Sequence, residues 1–433
     1  MSRPHIVIIG GGFGGLSAAR QFRGTDVEVT LIDRTNHHLF QPLLYQVATA
    51  SLAPSDITVP IRWILRDQRN VTVLLGAVSA IRPDERVVRL TDGVELAGYD
   101  YLIVATGARH SYFGNDQWER FAPGLKSLED ALEIRRRFLL AFERAERCDD
   151  PAERAALMTF VIVGGGPTGA ELAGTMSEIA RKAMPRDFRR IDTREARIVL
   201  VEGGPRILPS FPESLSAHAT RDLEKLRVEV RTDSVVTGVD ETGVRIGGAS
   251  IGSRTVFWAA GNQASPLAVS LHVPLDRSGR VLVNADLSAP GRPEVFVVGD
   301  LAAVKRADGS WVPAVAQGGI QGGARAGKNV LALIGGHPTV PFRYFNKGEL
   351  ATIGRNRAVA ALGRFTFAGY PAWFLWLFIH ILYLVGFRNR LSVLIQWGYA
   401  YFTFQRGVRL ITATENVATP VAGNLQDATH SRN

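Results

Sequence analysis

Two stretches of the chain share one pattern: an unbroken apolar run, a cluster of glycines, then helix-forming residues. Ile6-Val-Ile-Ile9 leads into Gly10-Gly-Gly12-Phe-Gly14-Gly15 and the helix formers Leu16–Arg20. Thr159–Val163 leads into Gly164-Gly-Gly166-Pro-Thr-Gly169. An apolar run without alternation fits a strand buried on both faces, as in a parallel sheet covered by helices. A further strand follows each helix, at Val27–Ile32 and Arg197–Val201, so residues 5–33 and 160–202 predict two strand–helix–strand units. Val295-Phe-Val-Val298, closing on Gly299-Asp300, is expected in the first sheet. The second unit is then an insertion into the first.

Other segments are less regular. Leu128–Met158 reads as a charged amphipathic helix, a connector with Arg135–Arg137 and Glu143–Arg147 on its solvated face. Val71–Leu75 and Val87–Leu90 are expected as antiparallel strands packed on the first unit. From Phe365 to Phe404 there are 14 aromatics in 40 residues, and Pro371–Phe387 carries no Asp, Glu, Lys or Arg. Ala372–Phe387 falls short of the ~20 residues a bilayer-spanning helix needs. Trp373 and Trp376 flank it on one side, and Arg388, Arg390, Trp397, Tyr399 and Tyr401 on the other. Such residues suit the headgroup zone, so a segment lying in the membrane interface is expected, with a buried core helix as the alternative.

Composition narrows the chemistry. With 46% apolar and 21% charged residues, the chain can build a large core. The 44 glycines among 433 residues suit the tight turns of nucleotide-binding loops. One cysteine, Cys148, excludes an intrachain disulfide, a paired-cysteine relay, and a Cys-ligated zinc or iron–sulfur cluster. Electron chemistry would therefore run on an organic cofactor. His37 and His38, adjacent on a strand-like stretch, point to opposite faces and make no metal site; no metal is expected. The net charge of +9 is concentrated near the C-terminus, where seven arginines and no acid lie between Leu350 and Thr414. In apolar surroundings this points to an anionic membrane surface and not to nucleic acid. No signal-peptide pattern precedes Ile6, which predicts a cytoplasmic chain.

In the spacing Gly10-x-Gly12-x-x-Gly15, the glycines turn tightly, admit a pyrophosphate to the backbone and let the helix pack on the strand. Asp33 ends the next strand, where an acid binds ribose hydroxyls. Gly164, Gly166 and Gly169 repeat the pattern, and Glu202 ends the corresponding strand after a longer interval, which fits an insertion near Pro185–Arg190. A carboxylate there accepts from a ribose 2′-OH and repels a 2′-phosphate, selecting NAD(H); Arg206, four residues on, works against that preference. Glu171 follows in the second helix, either as a complement to the helix dipole or beside a nicotinamide as a proton relay. Gln317 and Gln321 are helical i,i+4 neighbours that could hydrogen-bond each other.

Gly10–Gly15, Val104–Gly107, Gly164–Glu171 and Val297–Asp300 together resemble the two-dinucleotide flavoprotein reductases. Asn36–Ala48, Ala316-Gln-Gly-Gly-Ile-Gln321 and Phe345–Gly354 narrow the resemblance, over about residues 4–412, to the bacterial type II NADH dehydrogenases. It implies an α/β fold of two Rossmann-like dinucleotide-binding domains, the second inserted in the first, plus a C-terminal membrane-associating helical region. The expected divisions are an FAD-binding domain at 1–125 and 266–345, a helical connector at 126–158, an NADH-binding domain at 159–265, the membrane-associating region at 346–412 and a polar tail at 413–433. By resemblance, Gly10, Gly12 and Gly15 would hold the FAD pyrophosphate, Asp33 its adenosine ribose, Thr106 and Gly107 its length, and Gly299-Asp300 its ribityl chain. Gly164, Gly166, Gly169 and Glu202 would hold NADH. Gln317 and Gln321 would flank the flavin on the quinone side, with Glu171 near the ring. The implied activity is non-proton-pumping NADH:quinone oxidoreduction by a peripheral protein on the cytoplasmic face of the cell membrane, with a homodimer as the common assembly. Gly318-Gly319 departs from the family's bulkier residues and bears on pocket shape. A soluble reductase of an iron–sulfur carrier and a non-catalytic flavin sensor are the rival readings.

Overall fold

A computed structural model describes residues 3–306, 308–403 and 408–411. In chain order, β1 (His5–Ile9), α1 (Phe13–Gln21), β2 (Glu28–Asp33), β3 (Val71–Leu75) and β4 (Tyr101–Val104) are followed by α2 (Leu128–Arg147) and α3 (Pro151–Leu157). Then come β5 (Thr159–Val163), α4 (Pro167–Glu178), β6 (Arg197–Val201), β7 (Val228–Arg231), β8 (Thr255–Trp258), β9 (Ser288–Ala289) and β10 (Arg292–Val297). The chain continues through α5 (Ala316–Ile334), β11 (Glu349–Gly354), β12 (Arg357–Leu362), β13 (Phe365–Ala368), α6 (Tyr370–Tyr383) and α7 (Phe387–Thr403).

The first sheet runs β9-β10-β4-β1-β2-β3, with every pairing parallel except β9–β10. The second runs β7-β6-β5-β8, all parallel. It lies in sequence between the neighbouring strands β4 and β10, as the insertion requires. Both central strands, β1 and β5, have apolar interiors shielded on both faces, which explains their unbroken hydrophobic runs.

Three local expectations change. Residues 71–75 form a parallel strand at the edge of the first sheet, because the short helix Ile61–Leu65 carries the chain over before it pairs with β2. Val87–Leu90 is antiparallel as expected. The 128–158 helix divides at Cys148–Asp150: Pro151 starts a new helix, capped by the Asp150 side chain accepting from Ala152 N–H. It is more than a connector, since Phe138 and Phe142 pack their rings on Phe160 of β5. Ala372–Phe387 is likewise not one helix, because α6 ends at Tyr383 and α7 begins at Phe387 after Gly386 at φ +91°. The 185–190 insertion is held by Glu146, whose carboxylate accepts from the N–H groups of Arg189, Arg190 and Ile191.

The last helix turns its polar side inward. Asn389 donates to the carbonyls of Ser55 and Thr58, Ser392 and Gln396 donate to Asp56, and Trp397 Nε1 donates to Gln46 at 2.7 Å. Its outward face carries Phe387, Leu391, Ile395 and Phe402, with Phe387 80% and Phe402 81% exposed. On α6, Phe374 and Phe378 are exposed as well. Among the described residues no helix is long and apolar enough to cross a membrane. The polar tail expected at 413–433 lies outside the described residues.

α5 packs on α1 through glycine. A Cβ on Gly323 would lie 2.0 Å from the Gly14 carbonyl oxygen, whereas one on Gly322 would meet only Leu287 and Val298 at 3.8 Å. Gly323→Ala should therefore cost about 1–3 kcal/mol through overpacking. Gly322→Ala should be neutral or gain up to about 1 kcal/mol in helix propensity. Thermal unfolding of the two variants checks this; equal falls in Tm would exclude backbone contact as the cause.

Candidate active site

The carboxyl ends of the first sheet open into a cleft of about 680 Å³, lined by the first glycine loop, Asp33, Thr106-Gly107, Lys126, Gly299-Asp300 and Val315-Ala316. Gly10 sits at φ +104°, where a Cβ would meet Ala105 O at 2.4 Å, and a Cβ on Gly15 would lie 1.7 Å from Gly10 O. The second loop repeats both contacts at Gly164 and Gly169. Gly12 and Gly166 are different. Their φ values, −74° and −69°, suit any residue, and a Cβ at either would meet no atom of the chain within 4 Å. Neither backbone nor packing requires glycine there; a ligand brought against the backbone would. Both residues cap their helices without a side-chain hydrogen bond, so the N–H groups of α1 and α4 remain available to an anion.

The strand-end acids brace these loops. Asp33 Oδ2 accepts from Gly11 N–H at 2.5 Å, while Oδ1 takes the N–H and hydroxyl of Thr35. Glu202 accepts from Gly165 N–H at 2.6 Å and Gly204 N–H at 2.7 Å. Each carboxylate keeps lone pairs for ribose hydroxyls. The Arg206 guanidinium donates to the carbonyls of Leu208, Pro209 and Phe211, so it is turned onto its own loop. In the first cleft the Thr106 hydroxyl is buried without a partner, and Asp300 is shielded, with burial raising its carboxyl pKa against the pull of Lys126 and Arg280. An unpartnered hydroxyl and a shielded carboxyl fit a polyhydroxylated ligand.

Gln317 and Gln321, at the start of α5, do not bond each other. Gln317 Oε1 accepts from Lys347 N–H at 2.9 Å and its Nε2 donates to Gly348 O at 3.0 Å. Gln321 makes both bonds to Phe345, at 2.9 Å each. The two amides thus clasp segment 345–348 as a strand edge would. Gly319 packs against Gly14 and Phe13, so the first helix occupies the space beside the departing Gly318-Gly319 pair.

Glu171 is the fifth residue of α4, beyond the first turn, which removes the dipole reading. It is buried, accepts Thr352 N–H at 3.4 Å, and makes no ion pair among the described residues. Burial pushes its carboxyl well above the usual carboxylate range. Glu178, one heptad on, accepts Arg355 N–H at 2.9 Å, so both acids of α4 hold the β11 end of the C-terminal sheet.

Residues 4–318 match the pyridine nucleotide-disulphide oxidoreductase family, and residues 346–406 match the NDH2 C-terminal domain. The chain is 47% identical over 427 residues to the type II NADH:quinone oxidoreductase NdhA of Mycobacterium tuberculosis, across 95% of this chain and 90% of that protein. The chain belongs to the type II NADH:quinone oxidoreductase family. A second relative, Ndh of the same organism, is 46% identical at the same coverage. The fold matches that of NDH2 from Plasmodium falciparum in complex with NADH, at a TM-score of 0.87 and 20% identity over 95% of this chain and 100% of that one.

Two groups at this site escaped the sequence reading. His38 is buried with Nδ1 3.2 Å from Gly11 O and its ring edge-on to Phe13, and burial lowers its pKa to about 4, so a neutral imidazole steadies the loop. Strand alternation put His37 and His38 on opposite faces but did not say which of them faces inward. Lys126, in the turn before α2, carries no motif at all.

Glu171 gives a pH signature. Above about pH 4.5 the unfolded carboxyl ionises while the folded one retains its proton. Stability therefore falls as pH rises, by up to about 1.4 kcal/mol per unit, until the folded pKa is reached. Glu171→Gln removes that loss, so its Tm should gain on wild type as pH rises above about 5. Parallel Tm–pH curves would contradict the buried neutral acid.

Proposed function

We propose that the chain is a type II NADH:quinone oxidoreductase in which the first cleft holds FAD and the second glycine loop holds NADH. The paired Gly12 and Gly166, glycines that nothing in the chain requires, carry this reading. When bound, FAD supplies the two-electron carrier that takes hydride from NADH and reduces quinone. The chain's own part is to bind, orient and supply protons. Gly10, Gly12 and Gly15 bring the α1 N-terminus to the pyrophosphate, with Asp33 on the adenosine ribose and Thr106, Gly107, Gly299 and Asp300 along the rest of the cofactor. Gly164, Gly166 and Gly169 do the same for NADH, and Glu202 disfavours a 2′-phosphate. Glu171 holds a proton on its second oxygen, Oε2, while Oε1 accepts from Thr352. Gln317 and Gln321 fix segment 345–348 beside α5, on the side from which quinone arrives.

Quinone is lipid-soluble, and the outward faces of α6 and α7 supply the matching surface. A helix that keeps its hydrogen-bonding side inward and its aromatic side outward suits a lipid interface. The protein is read as peripheral on the cytoplasmic face of the membrane, and a homodimer would have to leave these helices open to lipid.

Purified holoprotein should show its flavin absorption bleached by NADH and restored by quinone, with NADPH much the poorer donor. A flavin that NADH does not bleach would leave a binding protein, and equal kcat/KM for NADPH would remove Glu202 from its role.

Each phenylalanine buried in the interface contributes about 1.5–3 kcal/mol to docking. Phe387→Ser with Phe402→Ser should thus weaken flotation with anionic vesicles by at least tenfold, whereas salt alone releases little wild-type protein. Unchanged flotation would remove α7 from the docking face.

A further inference from the structure

The exposed aromatic side chains do not end with α6 and α7. Just before α5, residues 304–306 pair with 310–312 as a short hairpin: Val312 N–H donates to Val304 O at 3.0 Å, and Arg306 N–H donates to Ser310 O at 2.8 Å. Its base meets the start of α5, where a Cβ on Gly318 would lie 3.4 Å from Val312 Cγ1. Val304, Val312, Gly318 and Phe342 line one small cavity, which brings the chain just before segment 345–348 to the same place. Gln317 then takes Lys347 N–H at 2.9 Å, and the Lys347 ammonium donates to the Tyr383 hydroxyl of α6 at 2.8 Å. The hairpin and α6 therefore both border the start of α5.

That border is open and greasy. Trp311 of the hairpin is 44% exposed, Phe345 is 69% exposed, and Val315, which precedes α5, is exposed as well. One exposed aromatic means little on a protein surface. These continue the outward face of α6, and the charge beside them has one sign. In the hairpin, segment 343–347, α6 and α7, the cations are Lys305, Arg306, Arg343, Lys347, Arg388 and Arg390, and the one acid is Asp308. The Arg280 guanidinium lies over the Trp311 ring, 5.7 Å from its centroid, and holds the indole on the hairpin. Tryptophan beside lysine and arginine suits the headgroup zone of an anionic membrane.

We propose that the hairpin 304–312 is a second membrane-contacting element, with Trp311 at headgroup level and Lys305 and Arg306 on anionic phospholipid. This rests on the peripheral-membrane reading and adds to α6 and α7 a contact from another part of the chain. With lipid at both the hairpin and α6, the start of α5 opens onto the bilayer, and quinone reaches Gln317 and Gln321 without crossing water.

The chain's single cysteine makes the test clean. In holoprotein carrying Cys148→Ser, a cysteine introduced by Trp311→Cys or by Phe402→Cys takes an environment-sensitive fluorophore. Each labelled protein is mixed with vesicles of phosphatidylcholine and phosphatidylglycerol, with and without a quencher on the acyl chain. Both labels should shift to the blue and be quenched. In unlabelled protein, Trp311→Ser should weaken vesicle binding about five- to tenfold, with its FAD content unchanged. If Trp311→Cys loses FAD, Ser310→Cys carries the label instead. A silent hairpin label beside a responding label on α7 overturns the proposal, and so does unchanged vesicle binding by Trp311→Ser. A hairpin label that shifts with protein concentration and not with vesicles also overturns it, by giving this face to a second copy of the chain. Failure of the membrane reading looks different: neither label would respond to vesicles.

Discussion

Backbone-to-backbone contact through missing side chains is the constraint on which this architecture rests. Gly323 of α5 lies so close to Gly14 of α1 that a single added carbon would meet a carbonyl oxygen. The same device recurs at the second unit, where a Cβ on Gly174 of α4 would lie 1.8 Å from Ile353 O of β11. One contact brings the start of α5, with Gln317 and Gln321, to the first cleft. The other lays the C-terminal sheet over α4 and its two acids. Interiors pack at near-crystalline density, so neither approach would survive an ordinary side chain without moving whole elements.

With the frame set, carboxylates take three different roles according to their surroundings. Asp33 and Glu202 accept backbone N–H groups and stiffen the loops. Glu171 lies under β11 with no ion pair among the described residues, and burial pushes its carboxyl well above the usual range. Asp300 lines the first cleft, and burial pushes its carboxyl above the usual range. Chemically similar groups are separated by burial and by what bonds them, more than by residue type.

A series of rings joins the first glycine loop to the C-terminal helices α6 and α7. Phe13 packs edge-on to Phe40 at 5.9 Å, Phe40 meets His380 at 6.4 Å, and His380 stacks on Trp376, which contacts Trp397. Trp397 then bonds Gln46 of the first unit. The helices that bear the exposed aromatic face are thus docked through their inner rings and polar groups, and the exposed side is free of structural duty.

Much was legible in the amino-acid sequence because it was local. The strand–glycine–helix runs, the acids at the ends of β2 and β6 and the aromatic, acid-free C-terminal segment each depend on neighbours within a few tens of residues. The tight turn at Gly10 follows from that spacing as well. Tertiary structure decided the rest, because the partners come from afar. Gln317 and Gln321 could have bonded each other along the helix, and only the arrival of segment 345–348 settles that they do not. Glu171 is a buried acid because Thr352, 181 positions on, covers it. Residues 71–75 have an antiparallel-looking alternation, yet the crossover before them fixes a parallel partner. Lys126 carries no pattern at all, and its place in the cleft lining exists only in the folded chain. Periodicity and spacing report what a segment can be; desolvation and hydrogen-bond partners, which set its chemistry, are properties of the assembled chain.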